Sequence, residues 1–245
     1  MLRSIADGLI AVILAPVCAA CRGPLDTPTR SPVCDRCWTA IRLPTPPFCG
    51  VCGDPLASWR TAGDSTGRCP QCRHRRSITK SRAIGDCDGV LRDILHALKY
   101  DGRRSVAPQL AALLRVHGQS VLSGADCAVP VPLHWSRRWR RGFNQAADLA
   151  TCLGLPVLHA LRRRRPTPSQ TNLPVAARHR NVRGAFVSRR RVRIAGLVVV
   201  LVDDVRTTGA TLDACAKALI EAGAKEVRAL TAARVSTTPG PAPRR

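Results

Sequence analysis

The chain has 245 residues, 39 Lys and Arg against 16 Asp and Glu for a formal net charge of +23, and 12 cysteines beside only 3% aromatic residues. With 45% of residues hydrophobic and 22% charged, it can bury a core of ordinary size, which excludes wholesale disorder. No run approaches the roughly 18 consecutive apolar residues that span a bilayer, so no integral membrane segment is expected.

In chain order, residues 1–17 read as a short amphipathic or apolar helix that docks on the body of the protein or on a partner. Peripheral attachment to a membrane would run through the same segment. Met1-Leu2-Arg3 followed by Gly8–Val17 imitates a secretory signal, but Asp7 interrupts the run and Ala15-Pro16-Val17 is a poor cleavage or lipid-attachment site.

Eight cysteines then form four C-x-x-C pairs: Cys18/Cys21, Cys34/Cys37, Cys49/Cys52 and Cys69/Cys72, with twelve residues between the first two pairs and sixteen between the last two. This is the ligand rhythm of two four-cysteine zinc ribbons. A two-residue gap lets a tight turn aim both sulfurs at one tetrahedral centre, and two turns close the shell without an open catalytic position. Gly23, Gly50 and Gly53 stand beside the pairs, where such turns need free φ. The alternative is a disulfide framework in a secreted protein, supported by the signal-like N-terminus. The zinc reading implies two structural Zn²⁺ and a reducing, cytoplasmic compartment. His74 would be a spare ligand beside eight cysteines, and Cys87, Cys127, Cys152 and Cys215 read as small buried hydrophobes. Residues 18–80 thus form a ribbon module in which metal substitutes for core.

From about residue 82 the pattern changes, and residues 82–235 read as a separate domain. Val90, Leu91, Ile94, Leu95 and Leu98 have helical spacing within 87–99, and Leu110, Leu113 and Leu114 mark a second helix over 106–116. Ala128–Leu133 is expected to be extended, 144–153 helical, 155–161 a strand, 197–202 a buried strand, 208–222 a helix and 227–235 a last strand. That alternation predicts an α/β fold, a mostly parallel sheet with flanking helices. The tail 236–245 is expected to be disordered.

Residues 136–193 hold fifteen arginines and one acid, Asp148. Basic charge on this scale suits a phosphate-bearing partner. A GC-rich coding sequence would also enrich arginine, and all but four of the cations are arginines. The runs Arg162–Arg165 and Arg189–Arg191 read more simply as solvated faces.

The most specific string is Leu197-Val-Val-Val-Leu-Val-Asp-Asp-Val-Arg-Thr-Thr-Gly-Ala-Thr211. A buried strand delivers Asp203 and Asp204 to the carboxyl edge of the sheet, where α/β proteins bind ligands. The loop Thr207-Thr208-Gly209-Ala210-Thr211 opens a helix whose free N–H groups favour an anion. A phosphate beside a ribose fits this arrangement, with the acids accepting from sugar hydroxyls or holding a divalent cation. Two acids that merely cap the next helix are the simpler alternative. No Ser/His/Asp set of recognisable spacing appears.

This string resembles the phosphoribosyl pyrophosphate motif of type I phosphoribosyltransferases. The resemblance implies Asp203 and Asp204 on the ribose hydroxyls, Thr207, Thr208, Gly209, Ala210 and Thr211 on the 5-phosphate, and Mg²⁺ on the diphosphate. Thr207 stands where the 6-oxopurine salvage enzymes carry an aspartate, which argues against hypoxanthine or guanine as acceptor. Further motifs narrow the likeness: Leu98-Lys99-Tyr100 with Gly102, Val129–His134, Arg137, Arg138, Arg141–Gln145, Gln170, and Arg178 with Asn181–Phe186. Together with the cysteine pairs they resemble the ComF family, whose members occur in bacterial DNA-uptake systems. The family resemblance makes Val131, Pro132 and Leu133 part of a pyrophosphate loop and 164–184 a mobile loop over the substrate. Arg137, Arg141, Arg178 and Arg183, together with Lys99, would grip diphosphate, and Arg178 would also join Asp203 and Asp204 at the reacting centre.

Two functions follow. One is a protein that binds phosphoribosyl pyrophosphate and, where active, transfers its phosphoribosyl group to an acceptor that sequence does not identify. The other is a non-catalytic adaptor that binds single-stranded DNA or a DNA-uptake helicase through its ribbons and arginines. Eight aromatics, Trp135 and Trp139 among them, offer few stacking platforms.

Overall fold

A computed structural model describes residues 12–56, 67–73, 77–133, 142–164 and 184–235, together with Asp7, Ile10, Trp139 and Val182. Two short helices lie in the ribbons, α1 (Asp35–Thr39) and α2 (Pro70–Arg73). They are followed by β1 (Ser81–Asp86), α3 (Gly89–Tyr100), a 3₁₀ turn (Arg104–Val106), α4 (Ala107–His117), α5 (Gln119–Leu122) and β2 (Cys127–Pro130). Then come α6 (Gln145–Thr151), β3 (Leu161–Arg163), β4 (Phe186–Ser188), β5 (Val198–Arg206), α7 (Ala210–Glu221) and β6 (Glu226–Arg234).

Strands β1, β6, β5 and β2, in that spatial order, form one fully parallel sheet. The unbroken apolar run in β5 belongs to a strand covered on both faces. Alternation divides its residues: Val200 and Val202 pack with Leu95, Leu98, Leu110 and Leu149 of α3, α4 and α6, whereas Val199 and Leu201 pack with Leu212, Cys215 and Leu219 of α7. Asn144 caps α6 by accepting a 3.1 Å hydrogen bond from the Ala146 N–H. Among the described residues no helix is long and apolar enough to cross a membrane.

Several boundaries differ from the sequence expectation. The segment 155–161 is not a strand of the sheet. It makes a single parallel bridge, Val157 to Ala128, because Pro156 lacks a donor and the segment only brushes the outer edge of β2. The strand that follows, β3, pairs antiparallel with β4 in a separate hairpin. Strand β5 runs four residues beyond Val202 because its far end pairs with β6, Asp203 opposite Thr231 and Arg206 opposite Arg234. Helix α7 accordingly starts at Ala210 rather than Thr208, and β1 carried no sequence signal of its own.

The two ribbons are mounted differently. Cys18, Val33, Cys37 and Ile41 of the first belong to the same buried cluster as α3 and α4. Ser31 Oγ donates to Gln109 Oε1 at 2.7 Å, and Arg22 pairs with Asp101 at 3.0 Å. Asp7, the residue that spoils the signal-like run, is buried and accepts a 2.9 Å hydrogen bond from the Thr29 N–H, which ties the N-terminal segment to this ribbon. In the second ribbon the buried cluster is the four cysteines themselves, with Val51 and Leu56 packed against them. The knuckle turns match, Arg22 N to Cys18 O and Gly53 N to Cys49 O. Each has its left-handed residue directly after the second cysteine, Gly53 at φ 72° and Arg22 at φ 62°. The glycine expected to relax the first turn, Gly23, therefore stands one residue too late.

Candidate functional site

The cysteines gather into two tetrads, Cys18, Cys21, Cys34 and Cys37, and Cys49, Cys52, Cys69 and Cys72, with the sulfurs of each within 4.8 Å of one another. A tetrahedral Zn²⁺ with Zn–S of about 2.3 Å sets its sulfurs roughly 3.8 Å apart. Cys21 and Cys34 lie 3.9 Å apart and Cys52 and Cys69 3.6 Å, so both tetrads fit the ion. Backbone N–H groups already donate to sulfur, Cys34 N to Cys18 at 3.4 Å and Cys69 N to Cys49 at 3.3 Å, as thiolates require. Hydrogen bonds from Cys52 and Cys72 lower the Cys49 thiol, and the bond with Cys49 in turn raises Cys52. Four such thiols cannot all ionise at this separation without a cation between them.

At the carboxyl edge of the sheet, the β5 pleat sends Asp203 and Asp204 to opposite faces. Asp204 pairs with Lys99, from the last turn of α3, at 3.0 Å. The Asp203 carboxylate accepts a 2.9 Å hydrogen bond from the Asp204 N–H. Burial, then the charge of Asp204, push Asp203 up to about 7, while Lys99 and Arg163 pull it part of the way back. Arg163, one of a run of four arginines in the sequence, is the cation of that run whose charge acts on Asp203. It stacks on Phe186, its cross-strand partner, 5.2 Å from the ring centroid. The available signal was the alternation expected of an extended Leu161-Arg-Arg-Arg segment, which separates Arg163 from its neighbours.

The Asp203 environment has a pH consequence. Above roughly pH 4 the unfolded chain releases this proton, whereas the folded protein holds it to about 7. The contribution of this group to stability is therefore complete at acid pH and is lost as pH rises through that window. Melting temperatures measured across pH 4–8 should show this downward slope in the wild type, and Asp203→Asn, which cannot titrate, should flatten it.

Beyond Arg206 the chain turns through Thr207, Thr208 and Gly209, whose φ of 78° places it at the N-cap of α7. Thr208 Oγ accepts a 3.4 Å hydrogen bond from the Ala210 N–H, and Thr211 lies in the first turn of the helix. The first turn of α7, which follows the acid pair in the chain, offers N–H groups without helical acceptors, as an anion site requires. Val131 follows the neighbouring strand β2, bonded N–H to Val202 O at 2.9 Å, with Asn144 Nδ2 donating to its carbonyl at 3.0 Å. Half-buried Pro132 and Leu133 continue along the same edge. Arg137, Arg141, Arg178 and Arg183, like His74, His134, Gln170 and the tail 236–245, lie outside the described residues.

Arg206 and Arg234, adjacent at the ends of β5 and β6, are 6% and 2% exposed. Both reach Asp54 of the second ribbon, and Arg234 also pairs with Asp86 at 2.9 Å. None of these ion pairs was foreseen.

Two cysteine ribbons beside a parallel sheet, with an acid pair and a Thr-Thr-Gly turn at its carboxyl edge, define a double zinc ribbon joined to a phosphoribosyltransferase-type domain. The family descriptions that match agree: "Double zinc ribbon domain" over residues 9–73 and "Phosphoribosyl transferase domain" over residues 140–242. The chain is 34% identical over 228 residues to the "DNA utilization protein YhgH" of Salmonella typhi, covering 86% of this chain and 94% of that protein. It is 30% identical over 231 residues to the "Competence protein F" of Haemophilus influenzae, covering 89% and 96%. Among solved structures, the glutamine phosphoribosylpyrophosphate amidotransferase of B. subtilis is 25% identical with a TM-score of 0.38, covering 56% of this chain and 30% of that one. The chain belongs to the ComF family of competence proteins.

Proposed function

We propose that the carboxyl edge of the sheet binds phosphoribosyl pyrophosphate and serves transfer of its phosphoribosyl group to an acceptor. The observation that carries this reading is that the carboxyl end of β5, with Asp203 and Asp204, leads through a three-residue turn into the N-terminus of α7 at Ala210, which sets a hydroxyl acceptor and an anion cradle on one strand–turn–helix unit. In this reading Thr207–Thr211 hold the 5-phosphate and the two acids accept from ribose hydroxyls. Lys99 already partners Asp204, so a multiply anionic ligand meets a compensated site rather than bare acids. Val131–Leu133, Lys99, Arg137 and Arg141 are assigned to the diphosphate and Arg178 to the reacting centre. Transfer then needs positioning and electrostatic support for the leaving diphosphate more than acid–base chemistry. Among the described residues the cysteine tetrads are the groups of three or more metal-ligating side chains. In this reading Mg²⁺ would be held by diphosphate oxygens and would neutralise charge on the leaving group. With ligand at 100 times Kd, stability should rise by about 2.7 kcal/mol. Phosphoribosyl pyrophosphate with Mg²⁺ is expected to raise the melting temperature of the wild type and not that of Asp203→Asn/Asp204→Asn; an unchanged wild type would reject the reading.

A second reading, contact with single-stranded DNA during DNA uptake, is favoured by one feature. On the hairpin face opposite Arg163, a trough of about 650 Å³ is lined by His159, Arg162, Arg164, Arg189, Arg190 and Arg191 over a Val187 and Val192 floor, with no carboxylate in its lining. Arginine forks along an open trough suit a phosphodiester backbone. Binding should weaken steeply with salt and be lost in Arg162→Glu/Arg164→Glu while persisting in the Asp203 and Asp204 variants. Equal affinity in the charge-reversed protein would remove this reading. Zinc thiolates suit a reducing, cytoplasmic compartment, and the exposed Val12, Ile13 and Leu14 offer an apolar contact for a membrane surface or a DNA-uptake partner.

A further inference from the structure

We infer that Asp54, on the second ribbon, is a positioning residue for the phosphate loop, holding Arg206 and through it the Thr207–Gly209 backbone. The geometry stands by itself; its consequence for a ligand rests on the ribose-phosphate reading.

Asp54 is placed by the metal-binding turn. Its carbonyl accepts from the Cys49 N–H at 2.8 Å, and Gly53 N donates to Cys49 O at 2.9 Å. From that position its carboxylate takes both prongs of the Arg206 guanidinium, Nη1 to Oδ2 at 3.2 Å and Nη2 to Oδ1. Arg206 is the last residue of β5 and the first anchor of the loop. Its neighbour in register is Arg234, another buried guanidinium, which donates to the Gly53 carbonyl and lies 3.8 Å from Asp54 Oδ1. Two adjacent buried cations repel each other unless a carboxylate stands between them, and removing that carboxylate drives one of them toward water. Arg234 has a second partner in Asp86. Arg206 has Asp54 as its carboxylate partner among the described residues, so it is the one that must move, and the loop backbone moves with it.

The ribbon is also fixed to the sheet independently of Asp54. Ser81 N donates to Val51 O at 2.6 Å, and Arg82 donates to Gly50 O at 3.1 Å and to Val51 O at 3.3 Å. Val51, Cys52 and Cys72 line a narrow cleft with Arg206, Gly209 and Leu212, so ribbon and loop face each other directly. Loss of Asp54 should therefore free the loop without detaching the ribbon.

The test is hydrogen–deuterium exchange on the zinc-loaded full chain. In Asp54→Asn, peptides covering 206–212 should exchange about tenfold faster, while 67–73 and β6 keep wild-type protection and both zinc ions remain bound. Asp54→Glu, which keeps the charge, should stay near wild type. Arg206→Lys, which keeps the cation but loses the two-pronged grip, should loosen the same loop. Unchanged loop exchange in Asp54→Asn overturns the inference, and so does loosening that comes only together with zinc loss, because Asp54 would then merely hold the ribbon. Ribose 5-phosphate supplies the ligand arm, with affinity expected to fall about tenfold in Asp54→Asn. If the sugar phosphate fails to bind wild type while the loop still responds to Asp54→Asn, the ribose-phosphate reading falls and the positioning role stands.

Discussion

Cys52→Ser should leave about one zinc per chain and unfold the second ribbon while the parallel sheet persists. The reason lies in what each ribbon has for a core. Around Cys49, Cys52, Cys69 and Cys72 the hydrophobics that pack, among the described residues, are the partly buried Val51 and Leu56, so the metal supplies much of the local cohesion. Apparent binding energies of structural zinc reach about 10–16 kcal/mol, comparable with the whole stability of a domain, about 5–15 kcal/mol. Cys21→Ser should behave differently. Its tetrad sits among Val33, Ile41 and the α3 and α4 leucines, so the apolar cluster should hold the first ribbon near its place after the metal leaves. Limited proteolysis with zinc analysis separates the outcomes: rapid cleavage within 47–73 for Cys52→Ser, and slower, local cleavage for Cys21→Ser. Equal protection of both variants would show that metal does not carry the second ribbon.

Leu110→Ala should be among the costliest substitutions outside the metal centres. Leu110 is fully buried in α4, in the cluster that unites the first ribbon with Val200 and Leu230 of the sheet. Truncating such a leucine removes its transfer energy and leaves a cavity, together about 2–5 kcal/mol, or a melting point lowered by roughly 5–15 °C in a chain of this size. Because the core is shared, calorimetry should show ribbon one and sheet melting together at the lower temperature. Val116→Ala, at a side chain 70% exposed on the same helix, should shift stability by no more than about 0.5 kcal/mol. Two separated transitions in the Leu110 variant would argue for a ribbon that folds independently of the sheet.

Much of the architecture was legible because its signals are local. Helices α3 and α4 follow from leucine spacing within a dozen residues, and β5 from an unbroken apolar run ending in two acids. The expected strand over 155–161 failed for a reason that composition does not carry. The outer edge of β2 is free, but Pro156 has no N–H to continue the ladder, so the segment pairs at the Val157 bridge alone, with Pro156 O accepting from Ala128 N–H and Leu158 N–H donating to Ala128 O. Arg163 was hidden for a related reason: four consecutive arginines look alike until a pleat assigns alternate ones to Asp203 and to the open trough.

From the residues alone, the two cysteine tetrads and the strand–turn–helix string that carries Asp203 to Thr211 could be read. Two cysteines three apart must share a turn, and a Thr-Thr-Gly string between an apolar strand and a helix must expose N–H groups wherever the domain lies. The tertiary structure alone decided what those parts hold on to. Parallel pairing of β5 with β6 sets Arg206 against Arg234. The ribbon's docking on β1 then brings Asp54, 152 positions earlier in the chain, between them. Such contacts depend on strand order and burial, and no periodicity records them, so the contact between Asp54 beside the second cysteine tetrad and Arg206 at the root of the Thr207–Gly209 turn emerges only once the sheet is assembled.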